Sequence, residues 1–192
     1  MIAPKIKNEK NKIAFLDMDG FLAIYERDAY KTECGITPGL CLYQDEKAHY
    51  FRTCKRDDAA YALAQDIMRQ FETYILTTIP PETPWSEVDK DLWLNDKVPE
   101  VDTATQLIIA DSDKAETIMV LQQLETLTEN MILIDDYNPN LHTWREAGGT
   151  AIKYLNGLNS KESWDGPTIT REEAVVPGII NIKIMEARLQ HT

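Results

Sequence analysis

Ile13-Ala-Phe-Leu-Asp-Met-Asp-Gly20 decides the fold. Four consecutive apolar residues with no polar alternation describe a strand covered on both faces, the habit of a parallel sheet. They run directly into Asp-x-Asp-Gly, polar residues where the strand would leave the sheet. Four further runs share the pattern: Tyr74-Ile-Leu76, Leu107-Ile-Ile-Ala110, Met131-Ile-Leu-Ile134 and Ala151-Ile-Lys-Tyr-Leu155. Amphipathic stretches lie between them. After Asp57-Asp58, the residues Ala60, Leu63, Ala64, Ile67, Met68 and Phe71 recur at helical spacing. Pro84 opens a second helix, with Val88, Leu92 and Trp93 on one face. A third is expected over about 114–127 with Ile118, Leu121 and Leu124 inward, capped by Asp113 beside Asp111. A fourth runs from Pro139 to Ala147 and stops at Gly148-Gly149. Strands alternating with helices imply right-handed crossovers and a three-layer α/β/α sandwich around a mostly parallel sheet.

Residues 21–56 are too long for a βα connection. Leu40-Cys-Leu-Tyr43 and His49-Tyr-Phe51 flank a polar turn, which suggests a hairpin in a small cap inserted over the sheet's C-terminal edge. The expected division is therefore a core of 1–20 and 57–192 and a cap of 21–56. The tail after Asn156, with its apolar Val175–Ile184 region, is expected to pack back on the core.

The chain has 192 residues, 20 Lys and Arg against 32 Asp and Glu, and a net charge of −12. This length buries roughly 70% of the unfolded surface without disulfides or metal. The charge disfavours a general nucleic-acid or acidic-membrane partner. No apolar run approaches the ~18 residues of a membrane span, and the N-terminus lacks the apolar core of a secretory signal. A soluble, cytoplasmic protein is expected. Cys34, Cys41 and Cys54 are then free thiols, and with His49 they lack the C-x2-C spacing of a zinc knuckle.

Polar residues follow each of the first four strands: Asp17-Met-Asp19-Gly20, Thr77-Thr78, Asp111-Ser-Asp113-Lys114 and Asp135-Asp136. Ligands of open α/β sheets sit outside the carboxyl ends of the strands, so these sets should converge. Asp17, the backbone carbonyl near it and a carboxylate from another strand form an all-oxygen site suited to Mg²⁺. Lys114 and the Thr77 hydroxyl can hold phosphoryl oxygens. A carboxylate nucleophile beside a second carboxylic acid permits aspartyl-phosphate chemistry. Gly20 lets the backbone approach a ligand closely.

Asp17-x-Asp19-Gly20, Thr77, Lys114 and Asp135-Asp136, in that order over residues 12–155, resemble the four motifs of the haloacid dehalogenase-like phosphohydrolases. More narrowly, Phe15–Ala23, Ile75–Thr78, Trp93, Ile108–Lys114 and Leu133–Asp136 are similar to the 5′(3′)-deoxyribonucleotidases, although the cap is shorter than in that family. The resemblance implies a Mg²⁺-dependent phosphomonoesterase acting on a nucleoside monophosphate, and it allows a homodimer. Asp17 would be the nucleophile and Asp19 the acid and base. Thr77, Thr78, Lys114 and Gly20 would bind phosphate. The metal would lie on Asp17, the Asp19 carbonyl and Asp136, with Asp135 supporting it or Lys114. Tyr25, and with it Phe21, would stand near the substrate. Two other expectations stay open. One is a phosphatase of the same fold for another small metabolite, or for a nucleic-acid 3′-phosphate end reached through Lys47, Arg52, Lys55 and Arg56. The other is a ligand-binding or regulatory protein without turnover.

Overall fold

The computed structural model describes residues 12–24, 49–79, 81, 83–110, 113–159 and 163–190. Their strands are β1 (Ile13–Leu16), β2 (Glu72–Thr78), β3 (Leu107–Ala110), β4 (Met131–Asp135), β5 (Thr150–Leu155) and β6 (Thr168–Thr170). They form one sheet in the order β3-β2-β1-β4-β5-β6, every pair parallel. The helices are α1 (Tyr50–Thr53), α2 (Asp58–Met68), α3 (Ser86–Lys97), α4 (Thr103–Gln106), α5 (Lys114–Gln122), α6 (Asn138–Glu146), α7 (Arg171–Ala174) and α8 (Ile179–Leu189).

The unbroken apolar runs follow from burial on both faces. In β1, Ala14 and Leu16 join one core with residues of α2, α3, α7 and α8, whereas Ile13 and Phe15 join a second with α5 and α6. The same alternation divides β4, with Ile132 and Ile134 on the first side and Met131 and Leu133 on the second. The sheet is thus the middle of three layers. The order of strands switches sides at β1, which lies between β2 and β4. Parallel sheets of this kind leave a crevice at the carboxyl ends of the strands flanking that point.

Local chemistry starts the helices. Asp57 accepts hydrogen bonds from the amides of Ala59 and Ala60 at the head of α2, and Asp113 accepts one from Glu116 at the head of α5. Asp111 lies outside the described residues. Helix α5 is shorter than the periodicity suggests: Gln123 takes the left-handed conformation at φ 55° and closes it, and Leu124 N–H donates back to Met119. Ile118 is buried as expected, but Leu121 is exposed.

Two sequence-based expectations are corrected. Residues 50–53 form a helical turn instead of a hairpin strand: the turn packs on α3, and the adjacent Tyr50 and Phe51 are both buried, where a strand would send them to opposite faces. The partner run 40–43 lies outside the described residues. The inward face of α3 carries Ser86, Asp89, Lys90, Trp93 and Leu94, while Val88 and Leu92 are exposed. The tail packs back on the core as expected, and it does so as a sixth strand and two helices, with Ile169, Ala174, Ile180 and Ile184 buried.

The ends of the long insertion adjoin. Ile24 N–H donates to Lys55 O at 2.7 Å, Asp57 N–H to Leu22 O at 2.8 Å, and Ala23 bridges Arg56 in antiparallel register. Arg171 reaches across to Asp57 at 2.8 Å and fastens this junction to α7. Among the described residues, no helix is long and apolar enough to cross a membrane.

Candidate active site

Asp17 follows the last residue of β1, and its amide extends the pairing with β4 by donating to Ile134 O at 3.0 Å. Its side chain therefore sits at the centre of the sheet's carboxyl edge and is buried. Lys114 opens α5, just beyond β3, and is equally buried. Its ammonium lies 2.6 Å from Asp17 Oδ1 and 2.7 Å from Asp135 Oδ2. Asp135 ends β4 and is held from two more directions, by Tyr137 N–H on Oδ1 at 2.8 Å and by Asn140 Nδ2 on Oδ2 at 2.9 Å. Asp136 comes next in the chain. Carboxylate oxygens of Asp17, Asp135 and Asp136 lie within 4.8 Å of one another.

Such crowding has an electrostatic cost. Burial first, then the neighbouring Asp135, raises the Asp17 pKa well above the usual carboxylate value. The same two causes push Asp136 up to about 7, against the opposing hydrogen bonds of Asn156 and Asn159. Burial would lower Lys114, but Asp135 and Asp17 outweigh it and hold the ammonium above its ordinary value. Crowded buried carboxylates of this kind are relieved by a divalent cation, and their hard oxygen donors suit Mg²⁺. The donor set therefore fits the metal that the motifs imply.

Asp19 occupies a second cluster. Its Oδ2 accepts a hydrogen bond from Lys90 Nζ, and Thr77 Oγ1 lies 3.4 Å away. The Lys90 ammonium also donates to Thr77 Oγ1 at 2.9 Å and to Thr78 O at 2.6 Å. It lies 4.5 Å from the centre of the Phe51 ring on α1. Lys90 is fully buried, whereas the side chain of Asp19 keeps 23% of its exposure. Next to Lys90, Asp89 receives the exposed His49 ring at 2.9 Å. Sequence reasoning missed Lys90 because it followed apolar residues only. Positions 86, 89, 90, 93 and 94 do have helical spacing, and including the lysine would have turned α3 to its observed face.

Gly20 closes the site from below. Its φ is +86°, and a Cβ there would fall 2.6 Å from Asp136 Cγ and closer still to Oδ2. The absence of a side chain is what lets the Asp136 carboxylate lie against this backbone. Asn156, after β5, donates from Nδ2 to Gly20 O and to Asp136 Oδ2, both at 2.7 Å. Asn159 Nδ2 donates to the same Oδ2. Buried Lys153 donates to the main-chain oxygen of Asp136 and, at 2.7 Å, to Asn138 Oδ1. None of these four side chains belongs to the four sequence motifs.

The fold thus brings Asp17, Asp19, Gly20, Thr77, Lys114, Asp135 and Asp136 to one sheet edge. Thr78 contributes its carbonyl to Lys90. Phe21 is a core residue with no exposed surface, its ring edge-on to Tyr154 with centroids 5.0 Å apart. Tyr25 and Lys47 lie outside the described residues, as do Cys34 and Cys41. Arg56 is occupied by Asp58, by Lys97 O and by the Tyr61 ring, 3.8 Å away.

No protein-family model matches the sequence, and no curated protein matches it. Solved structures do match. A haloacid dehalogenase-like family hydrolase from Xanthomonas campestris aligns over 99% of this chain and 100% of its own, with TM-score 0.59 and 11% identity. A hydrolase of the same family from Streptococcus pneumoniae aligns over 86% and 97%, with TM-score 0.55 and 16% identity. D,D-heptose 1,7-bisphosphate phosphatase from Burkholderia thailandensis aligns over 89% and 97%, with TM-score 0.54 and 9% identity. The chain has the haloacid dehalogenase-like fold over almost all of its length.

Proposed function

We propose that this chain is a Mg²⁺-dependent phosphomonoesterase that works through an aspartyl-phosphate. The observation that carries the reading is the meeting of Asp17, Asp135 and Asp136 around Lys114, with Asp19 held separately by Lys90 and Thr77. The two carboxylates of Asp-x-Asp have different surroundings, as two different chemical roles require. Asp17 lies deep against a cation. Among the described residues its Oδ2 receives no hydrogen bond, which leaves that oxygen free to attack.

In the proposed reaction Asp17 Oδ2 forms a bond to phosphorus as the ester P–O bond breaks. Asp19, entering protonated, gives its proton to the leaving alkoxide. Asp19 then takes a proton from water, whose oxygen attacks the same phosphorus. The bond from phosphorus to Asp17 breaks, releasing inorganic phosphate and restoring the carboxylate. Lys114 and Thr77 bind the phosphoryl oxygens and hold them in line for both displacements. Lys90 keeps Asp19 beside Thr77. Asp17, Asp136 and the Asp19 carbonyl would hold Mg²⁺, which when bound offsets negative charge on the phosphoryl group.

The substrate proposed is a nucleoside monophosphate, on the likeness of Phe15–Ala23, Ile75–Thr78, Trp93, Ile108–Lys114 and Leu133–Asp136 to the 5′(3′)-deoxyribonucleotidases. Phosphate release is to be measured from nucleoside 5′- and 3′-monophosphates, sugar phosphates and simple aryl phosphates, with Mg²⁺ or EDTA. Metal-dependent turnover concentrated on deoxyribonucleotides supports the full reading. Turnover of other esters alone retains the chemistry and overturns the substrate. Asp17→Asn is expected to abolish release, and unchanged release in that variant overturns the mechanism.

A further inference from the structure

The loop after β5 carries no motif of the proposed chemistry, yet it is built against the site. Asn156 is buried and uses its whole side chain. Its Oδ1 accepts the backbone amides of Leu158 at 2.9 Å and Asn159 at 3.3 Å, which folds the loop into an Asx-type turn. Its Nδ2 donates at 2.7 Å both to Gly20 O, beside the Asp-x-Asp pair, and to Asp136 Oδ2. The turn delivers Asn159, whose Nδ2 reaches the same Oδ2. Two amides from one loop therefore converge on a single oxygen of one carboxylate.

That asymmetry has a consequence for the cation. Among the described residues, Asp136 Oδ1 receives no hydrogen bond, while Oδ2 receives two. Gly20 walls the carboxylate on another side, and Lys153 ties down its main-chain oxygen. The carboxylate can neither swing away nor turn over without losing both amide bonds. An amide donor is also neutral, so it orients the carboxylate without cancelling the charge a metal needs. A lysine at either position would do the opposite.

We infer that Asn156 and Asn159 are positioning residues that grip Asp136 by Oδ2 and reserve Oδ1 for the divalent cation. This rests on the proposed metal site, and it adds that the loop after β5, outside the four motifs, sets the affinity for the ion. Partners of this kind hold metal ligands in place, and their removal typically weakens metal binding by about 10–100-fold. Asn159 is the more decisive position. Its side chain is only partly buried and, among the described residues, its bond to Asp136 is the one side-chain hydrogen bond it makes, whereas Asn156 also shapes the turn.

The test is Mg²⁺ titration of the intact protein by calorimetry for the parent, Asn159→Ala, Asn156→Ala and Asp136→Asn. Melting of the metal-free proteins and the Mg²⁺ dependence of phosphate release accompany it. The expected result is Mg²⁺ binding by the parent, loss in Asp136→Asn, and affinity about 10–100-fold weaker in Asn159→Ala. Metal-free melting of Asn159→Ala should fall by no more than the few degrees one lost hydrogen bond costs, and saturating Mg²⁺ should recover most of its turnover. Parent-like Mg²⁺ affinity in Asn159→Ala overturns the inference and leaves the metal site standing. A fall in melting and turnover at constant Mg²⁺ affinity also overturns it, since that is a purely structural role. If the parent binds no Mg²⁺ and Asp136→Asn is indistinguishable from it, the metal site itself is refuted. Should Asn156→Ala fail to fold, Asn159→Ala alone decides.

Discussion

Replacing Gly20 by alanine tests how the Asp-x-Asp-Gly turn and the Asp136 carboxylate share one space. Two costs are separable. The backbone sits at φ +86°, where an L-residue loses about 1–2 kcal/mol. The new methyl would fall 2.6 Å from Asp136 Cγ, so the carboxylate must move. Moving it weakens the bonds from Asn156 and Asn159, and hydrogen bonds to a charged group are worth about 1.5–3 kcal/mol each. Partial recovery by water leaves a total loss of about 2–4 kcal/mol. In a chain of this size that lowers Tm by roughly 5–15 °C. Gly178→Ala is the control. Its φ is +75° and a Cβ there meets nothing within 4 Å, so only the backbone cost applies. Differential scanning fluorimetry with EDTA or Mg²⁺, run beside the phosphate-release assay, reads both effects. Gly178→Ala should melt a few degrees lower, respond normally to Mg²⁺ and keep its turnover. Gly20→Ala should melt lower still, lose most of its Mg²⁺ response and lose turnover. Equal Mg²⁺ response and turnover in the two variants would refute the idea that Gly20 is needed for the carboxylate beside it.

Other perturbations read other parts of the site. Lys90→Met removes the buried ammonium that holds Asp19 to Thr77; turnover should fall by about 100-fold or more, and steady-state kinetics showing parent-like kcat would remove Lys90 from the proposed machinery. In the metal-free protein Asp136 is raised to about 7 and Asp17 is raised as well. The folded state then binds more protons than the unfolded state between the ordinary carboxylate value and about pH 7, so stability falls as pH rises through that window. Melting in EDTA should therefore drop from pH 5 to pH 8, with Mg²⁺ restoring it at pH 8 and adding little at pH 5; a flat profile contradicts the crowded-carboxylate account. Asp57→Ala removes the α2 cap and the Arg171 partner, and denaturant unfolding should show a loss of about 1–3 kcal/mol with kcat unchanged.

The sheet was legible because its signal is local. Ile13–Leu16 and Met131–Ile134 are apolar at every position, and each such position is claimed by one of the two cores. The order of motifs at the strand ends was equally readable, since a strand end and the next residue travel together in the chain. Other features depend on distance. Thr168–Thr170 is three residues long and has no apolar run, so its place at the sheet edge comes from pairing with β5 and from the burial of the single Ile169. Tyr50 and Phe51 have strand-like composition, but packing on α3 overrides it. Lys90 is illegible to any rule that keeps charges outside, because its burial is offset by Asp19, Thr77 and Thr78 O, which lie 12 or more residues away. The asparagines after β5 are silent for the same reason: their partners at Gly20 and Asp136 stand 136 and 20 residues away in sequence from Asn156.

The closed junction at Ile24–Lys55 and Leu22–Asp57 makes the chain leave and rejoin the core at one doorway. Length added between Ile24 and His49 costs the fold little in loop-closure entropy, which grows by only about 0.6 kcal/mol for each doubling of length. That segment can change in length while Asp17 and Asp136 keep their places, whereas the turn Tyr50–Thr53, with Phe51 against Lys90, stays with the core. Exchanging the segment between Ile24 and His49 among chains of this fold is an engineering route that this doorway leaves open.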